Sequence, residues 1–270
     1  MEGSSRSSLA GARDTLHSQL GDLADAGAVG DELFAVTTVL DSSVALRRAL
    51  ADPSATQDAR AGLADRLFAG KIGDNTLEVV RSLVRQRWSR ERDLSDATAQ
   101  LAVEAVLTGA DGAGRMDQVE NELFRVERTV VGSPELRDAL ADSQRSGHDK
   151  AALVTTLLEG KVAPETLYLV RGAVERPRGQ RIERVLESYI ETAARLREQL
   201  RATAFVAHPL DDDQRARLAG ALKEIYRRDV QINVVVDTQV VGGIRVHVGD
   251  EVIDGSLASR LDEARRLMTR

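Results

Sequence analysis

The sequence contains no cysteine, so it can form neither disulfide bonds nor thiolate metal sites, and it has no cysteine nucleophile. Aromatic residues make up only 3% of the 270 positions, whereas hydrophobic residues make up 42%. A core of that composition must be built mostly from Leu, Val and Ala, which favours packed helices. The apolar runs are far shorter than the roughly 20 residues that cross a bilayer, and no signal-peptide pattern opens the chain. These absences predict a soluble, cytoplasmic protein.

An excess of positive charge is also missing. The formal net charge is −6, and it lies within residues 1–200, because residues 201–270 contain 11 basic and 11 acidic side chains. Sequence-independent binding of nucleic acid needs a basic face, so an acidic chain argues against it. Arginine outnumbers lysine by 33 to 4, which we attribute to genome composition rather than to a binding role.

An internal repeat organises the first two thirds of the chain. Residues 31–90 align without gaps with residues 121–180 at a constant offset of 90, and 21 of the 60 positions are identical. Self-similarity at a fixed period predicts two copies of one helical unit. The clearest matches are Glu32-Leu33-Phe34 with Glu122-Leu123-Phe124, Ala49-Leu50-Ala51-Asp52 with Ala139-Leu140-Ala141-Asp142, and Gly70-Lys71 with Gly160-Lys161.

The apolar periodicity within each copy predicts helices and their ends. One helix is expected from about Gly30 to Leu40, and Gly70 and Gly160 are expected to cap the C-terminal ends of two others. A long helix at about residues 90–110 follows the first copy and, by the offset, also takes the place of the first helix of the second copy. The two bundles would therefore share this helix. We predict helical domains at residues 1–95 and 96–201.

From Ala202 onward the apolar pattern changes to alternation. Strands are predicted at residues 203–207, 231–236, 244–248 and 251–253, with a helix that begins after Asp211, where Gln214 completes a capping box. A last helix is predicted at about residues 256–268. The order β-α-β-β-β-α indicates a small α/β domain on a mixed sheet at residues 202–270. The predicted fold class is thus α+β, with two tandem helical bundles followed by a small α/β domain.

No catalytic, metal or cofactor site is expected. The Gly-Lys pairs at residues 70–71 and 160–161 lack the Ser or Thr and the upstream glycine of a phosphate loop, so helix capping explains them better. The four histidines are scattered without ligand spacing. Trp88 is either a contact residue or a packing residue at a helix end. Asp250 and Asp254 are expected to serve a turn and a helix cap rather than acid–base chemistry.

The C-terminal motif consists of Gly242, Gly243, Ile244, Gly249, Asp250, Ile253, Asp254, Gly255 and Ser256. This motif resembles that of a known family, the delta subunit of bacterial F-type ATP synthases, whose mitochondrial relative is the oligomycin-sensitivity-conferring protein. The resemblance covers roughly residues 118–270. Hairpin geometry alone explains each motif residue, so the motif identifies a family without marking a contact surface. The chain departs from the family in having two helical copies rather than one, and it looks like a longer form found in some high-GC bacteria.

The resemblance implies a non-catalytic stator, or peripheral stalk, subunit that links the catalytic head to the membrane-anchored stalk, so that rotation drives ATP synthesis. The N-terminal helices of alpha subunits would bind grooves of the helical domains, and the C-terminal end of the b-type stalk subunit would bind the last domain. The chain would lie at the cytoplasmic face of the cell membrane, attached only through the complex. Possible helix-groove contacts are Leu77, Val80, Val84, Leu167, Val170 and Val174.

Two other classes of function stay open on the sequence. A freestanding helical-repeat adaptor for an unrelated complex would purify without any synthase subunit. A nucleotide-dependent enzyme lacks any supporting motif, and measurable ATP binding by the isolated chain would be needed to revive it.

Overall fold

A computed structural model describes residues 3–20, 26–142, 144–199, 201–226, 230–237, 240, 242–248 and 251–254. Twelve helices and four strands lie within these residues. The chain divides into a helical unit, Met1–Ala193, and a C-terminal unit, Ala194–Arg270. A mostly helical chain with one small sheet confirms the predicted α+β class. Of the helices in the described ranges, none combines the length and apolar content that crossing a membrane requires.

The helical unit contains ten complete helices and most of an eleventh. The helices are α1 (Gly3–Gln19), α2 (Ala26–Ser42), α3 (Val44–Ala51), α4 (Gln57–Phe68), α5 (Asp74–Arg85), α6 (Glu91–Gly112), α7 (Met116–Gly132), α8 (Pro134–Ala141), α9 (Gly147–Leu158), α10 (Pro164–Glu175) and α11 (Ile182–Gln199). The helix predicted at residues 90–110 is α6, and the helix predicted from Gly30 to Leu40 is longer at both ends. Residues 1–193 form one compact unit, so the boundary between residues 95 and 96 stays a prediction.

Glycines end α4 and α9 as predicted. Gly70 and Gly160 have φ angles of 73° and 71°, a left-handed conformation that glycine adopts without steric cost. The N–H of Lys71 then donates to the carbonyl of Phe68, and the N–H of Lys161 donates to the carbonyl of Leu158, at 2.9 Å each. These bonds satisfy carbonyl groups that the helix ends leave free.

The long helix α6 lies at the centre of the helical unit, and its sharing by two bundles stays a prediction. Most of α6 is buried, including Leu94, Leu101 and Leu107, and it contacts α2 most extensively and also α7 and α10. The α2–α6 contact is close at Gly30. A methyl group added there would lie 2.6 Å from Cγ2 of Val106 and 3.1 Å from the carbonyl oxygen of Ala102. The glycine therefore sets the distance between the two helices.

We expect Gly30→Ala to lower the free energy of unfolding by about 1–3 kcal/mol, because the added methyl group forces α2 and α6 apart in a packed core. Gly62→Ala, within α4, is the matched control: the nearest atom to an added Cβ is Nη1 of Arg66 at 3.9 Å. That variant should be more stable by up to about 1 kcal/mol, since alanine favours helix over glycine. Urea unfolding followed by circular dichroism measures both, and equal effects of the two variants would contradict the prediction.

An ion pair joins α1 to α6 inside the helical unit. The guanidinium of Arg13 donates through Nε and Nη2 to the two carboxylate oxygens of Glu104, at 2.7 Å each. The Glu104 side chain is fully buried and that of Arg13 is 18% exposed. The hydrogen bond to Glu104 raises the pKa of Arg13, so the guanidinium is held in its charged form.

The C-terminal unit contains a mixed four-stranded sheet. Its elements are β1 (Arg201–Val206), α12 (Asp212–Tyr226), β2 (Gln231–Val236), β3 (Ile244–Val248) and β4 (Glu251–Asp254). The strand order is β2-β1-β3-β4, with β1 and β2 parallel and the other pairs antiparallel. The small core comprises Ala202, Ala204, Leu222, Val230, Val246 and Val248.

The predicted start of α12 is confirmed in detail. The N–H of Gln214 donates to Oδ1 of Asp211 at 2.7 Å, and the N–H of Asp211 donates to Oε1 of Gln214 at 3.2 Å. This reciprocal pair is the capping box that the spacing predicts. The β-α-β-β-β order is likewise confirmed, whereas the last helix predicted at residues 256–268 lies outside the described residues.

Candidate interaction surfaces

A buried carboxylate holds the start of α10 in the second copy. Oε2 of Glu122, on α7, accepts hydrogen bonds from the N–H of Ala163 at 2.8 Å and from the hydroxyl of Thr166 at 2.7 Å. Its Oε1 accepts from the amide of Gln118 at 2.8 Å. Burial raises the pKa of Glu122, but the hydrogen bonds from Thr166, Gln118 and Ala163 outweigh it and hold the pKa below its ordinary value. The carboxylate thus satisfies a free N–H group where the helix dipole favours negative charge.

The first copy contains the same arrangement. Glu32, on α2, accepts a hydrogen bond from the N–H of Gly73 at 3.0 Å and another from the hydroxyl of Thr76, at the start of α5. All three residues are offset by 90 from their counterparts in the second copy. Glu32 is half-buried, whereas Glu122 is buried. The repeated sequence therefore builds the same helix-to-helix anchor twice.

The two copies contact each other through aromatic rings. Phe34, on α2, lies 5.8 Å from the ring of Tyr168, on α10, measured between ring centroids, and the guanidinium carbon of Arg176 lies 5.3 Å from the Phe34 centroid. Phe34 is 7% exposed. Burial and a hydrogen bond with Asp31 raise the pKa of Tyr168, which stays protonated at neutral pH. The second copy therefore covers an aromatic side chain of the first.

An arginine in the loop between α10 and α11 strengthens the same contact. Arg178 has a φ of 51°, which is rare for a residue with a side chain. Its Nε donates to Oδ2 of Asp41 at 2.7 Å, and its Nη2 donates to Ser95 and to Oδ1 of Asp96 at 2.8 Å each. The loop is thereby tied to the end of α2 and to the second turn of α6.

The predicted groove contacts are mostly core residues in this chain. Leu77, Val80 and Val84 on α5 are 4%, 2% and 2% exposed, and Val170 and Val174 on α10 are equally well buried. Leu167 is half-buried. Their contact with a partner helix stays a prediction, while their packing within the helical unit is clear. Among the residues of this unit that the structure describes, the large apolar side chains that are exposed are instead Val39, Val44, Phe124, Val131 and Leu157.

Phe124 is the most exposed of these side chains, at 54%. It lies on one wall of a groove of about 590 Å³ between α7 and α11. The repeat indicates that Phe124 corresponds to Phe34. The sequence pattern does not show which of the two rings is covered by other residues and which is exposed to solvent. The residues that line the groove are Phe124, Glu127, Arg181, Glu183, Arg184, Glu187, Ile190 and Glu191.

Trp88 is a packing residue. It is 8% exposed, and its indole N–H donates to the carbonyl of Leu83 at 2.9 Å. Of the two interpretations that the sequence leaves open for this side chain, the structure supports packing at the end of α5.

Part of the C-terminal motif lines a second cleft, in the C-terminal unit. Gly242 and Gly243 have φ angles of 139° and 79° and, together with Ile244 at the start of β3, form one side of a cleft of about 570 Å³. Ile253 packs against the small core, and Asp254 is paired in register with Arg245. The motif residues that lie outside the described residues are Gly249, Asp250, Gly255 and Ser256.

The sequence of the chain is similar to those of known proteins. The family model for the ATP synthase delta (OSCP) subunit matches residues 99–268. The chain is 52% identical over 265 residues to the ATP synthase subunit delta of Kineococcus radiotolerans, covering 98% of this chain and 96% of that protein. It is 45% identical over 267 residues to the corresponding subunit of Streptomyces avermitilis, covering 98% of each. A chain of the Toxoplasma gondii mitochondrial ATP synthase hexamer matches at 20% identity over 62% of this chain and 95% of that chain, with a TM-score of 0.29.

Proposed function

The chain belongs to the ATP synthase delta (OSCP) subunit family, and from that premise we propose that its helical unit binds the catalytic head while its C-terminal unit binds the stalk. Members of this family are structural subunits, so the chain is a non-catalytic part of the peripheral stalk of an F-type ATP synthase. The observation that carries the identification is 52% identity across almost the full length of both proteins. The same likeness leaves no support for a freestanding adaptor or a nucleotide-dependent enzyme.

For the head contact, we propose that N-terminal helices of alpha subunits bind the helical unit. A helix that binds a groove uses apolar anchors at helical spacing. The helical unit exposes such side chains on α7, where Phe124 and Val131 lie two turns apart, 54% and 41% exposed. These positions support the proposal better than the buried Leu77 and Val80 do.

We also propose that the helical unit arose by duplication of one bundle. The family model begins only at residue 99, so the whole first copy precedes the matched region. The 21 identities at the constant offset, the paired glycine caps and the two carboxylate anchors at Glu32 and Glu122 support two copies of one ancestral bundle. A second copy would give this chain a larger surface for the head than one bundle provides.

For the stalk contact, we propose that the C-terminal unit binds the C-terminal end of the b-type stalk subunit. The C-terminal unit exposes Ile225, Val236 and Val252, each at least 50% exposed, and large apolar side chains at a surface favour a protein contact. The subunit would then lie at the cytoplasmic face of the membrane, held there through the complex.

Deleting residues 202–270 tests whether the helical unit binds the head and the C-terminal unit binds the stalk. We expect the truncated chain to retain the catalytic head with an affinity within about twofold of the full-length chain, and to bind the stalk subunit at least about tenfold more weakly. The reason is that the sheet and α12 belong to the removed unit, whereas α1–α10 keep their own core. Pull-downs with the purified head and with the purified stalk subunit give the two affinities.

Circular dichroism of the truncated chain serves as the control, since it should lose only the signal of the removed elements and unfold cooperatively. Loss of head binding together with retained stalk binding would reverse the assignment and reject the proposal.

A further inference from the structure

We propose that Phe124 and the groove beside it form a docking surface for a basic amphipathic helix of the catalytic head. We call these residues the Phe124 surface, defined as Phe124, Glu127, Arg181, Glu183, Arg184, Glu187, Ile190 and Glu191. The proposal rests on the proposed function, because it takes the helical unit as the part that binds the head. It adds the place of contact and the chemistry of the helix that fits there.

In the first copy, the side chain equivalent to Phe124 is Phe34, and the structure shows which residues cover it. Phe34 and Phe124 occupy the same place in the repeat, each directly after a Glu-Leu pair. The glutamate of each pair accepts a hydrogen bond at the start of a later helix of its own copy, α5 in the first copy and α10 in the second. Phe34 is 7% exposed because Tyr168, within α10, and Arg176, the residue that follows α10, lie against its ring. Phe124 is 54% exposed. An aromatic side chain that is covered in one copy is therefore open in the other.

The groove beside Phe124 has room for such a cover. Ile190 on α11 provides a second apolar side chain across the groove from Phe124, and the volume of about 590 Å³ is bounded by α7 and α11. An aromatic ring next to an aliphatic side chain in a concave site is the kind of pocket that receives the anchor residue of a partner helix.

The charges around the groove favour a positively charged partner. Four carboxylates and two guanidinium groups line it, and Arg184 is already paired with Glu187 at 2.8 Å between Nη1 and Oε2. A basic helix would balance the excess of negative charge, and an arginine or lysine on it can lie over the Phe124 ring, as Arg176 does over Phe34. The occupant is thus a helix with an apolar or aromatic anchor and a cation about two turns away, as Tyr168 and Arg176 are spaced.

Phe124→Glu tests the docking surface in the full-length chain. We expect its affinity for a purified catalytic head depleted of this subunit to fall about thirtyfold, as for the loss of a central aromatic anchor. Phe124→Trp should keep the affinity within about threefold, since a large aromatic side chain is retained. Surface plasmon resonance gives the dissociation constants, and thermal unfolding should be unchanged because Phe124 is exposed. An affinity of Phe124→Glu within about twofold of the original chain would overturn the proposal.

Val39→Glu is the matched control. Val39 is 41% exposed on α2, and its counterpart in the second copy is Thr129, so the repeat places no shared apolar requirement there. Its affinity for the head should change by less than about twofold. An equal loss for Val39→Glu and Phe124→Glu would also overturn the proposal, because it would show a response to added charge and not to this surface.

Cross-linking identifies the occupant in the assembled synthase. With p-benzoylphenylalanine in place of Phe124, we expect a cross-link to a basic helical segment of a head subunit. Cross-links only to the stalk subunit, only to a second copy of this chain, or to no protein would overturn the proposal. These outcomes are separate from the fate of the proposed function, which fails if deletion of residues 202–270 removes head binding and leaves stalk binding intact.

Discussion

We expect Arg13→Met to lower the free energy of unfolding of the helical unit by about 3–5 kcal/mol, the cost of leaving a buried charge without its ion-pair partner. Glu104 is the side chain left behind, and it is fully buried. Its two oxygens accept both arms of the Arg13 guanidinium at 2.7 Å each. The amide of Gln100 also donates to Oε1 of Glu104, at 3.3 Å, but this neutral group carries no positive charge.

The double variant Arg13→Met with Glu104→Met is the control for this ion pair. Replacing both partners of a buried pair with apolar residues of similar size is often close to neutral, because the cost of removing both charges from water disappears with them. We therefore expect the double variant to recover most of the stability that Arg13→Met loses. Urea unfolding at pH 7 followed by helical circular dichroism measures all three proteins. A double variant as unstable as the single variant would show that packing, not charge, dominates at this site.

The second large effect is expected for Glu122→Ala, which should cost about 2–4 kcal/mol. The variant removes the acceptor for the N–H of Ala163 and for the hydroxyl of Thr166, and both bonds are buried. A buried donor left without an acceptor costs about 1–3 kcal/mol. Glu122→Gln keeps an acceptor oxygen and loses only the charge, so it should cost about half as much. Chemical unfolding of the two variants at pH 7 provides the comparison.

The stability that Glu122 contributes should depend on pH in a definite direction. The pKa of Glu122 is lowered in the folded chain, so its carboxylate contributes stability that is fully present above the ordinary glutamate pKa of about 4.3. That contribution is lost as the pH falls through the folded-state pKa. We therefore expect the stability difference between the original chain and Glu122→Gln to be constant from pH 7 to about pH 5 and to shrink below about pH 4. A difference that grows on acidification would contradict the assignment.

Glu32 offers the matched comparison within the same chain. It makes the equivalent contacts with Gly73 and Thr76 but is only half-buried, so water can replace part of what Glu32→Ala removes. We expect Glu32→Ala to cost less than Glu122→Ala, by about 1 kcal/mol or more. Equal costs would mean that burial does not set the energy of this repeated anchor.

The internal repeat allowed the positions and ends of several helices of the helical unit to be predicted from the sequence. Identical residues at a constant offset predicted where α4 and α9 end, because glycine at a helix end has a local backbone cause. The capping box at Asp211 and Gln214 was predictable for the same reason. Alternating Val and Ile residues predicted the strands, since the period of two is a property of the strand itself.

The choice between core and surface was less predictable. Leu77 and Val80 follow the apolar stripe of α5, and a stripe marks a face that packs against something without saying whether that is the same chain or a partner. The structure places both in the core. Phe34 and Phe124 show the limit most clearly, because the two have the same sequence setting and differ eightfold in exposure, at 7% and 54%.

The sequence by itself determined the α+β class, the ends of the main helices and the family, because these depend on local chemistry and on identity along the chain. Only the tertiary structure decided that Arg13 pairs with Glu104, that Arg178 ties a loop to Asp41 across 137 positions, and that Phe34 is covered while Phe124 is open. Such contacts join residues far apart in sequence, and their presence depends on which elements lie side by side. A repeat makes two helices alike in sequence, but only the helix of the first copy has a second copy after it that can cover its side chains.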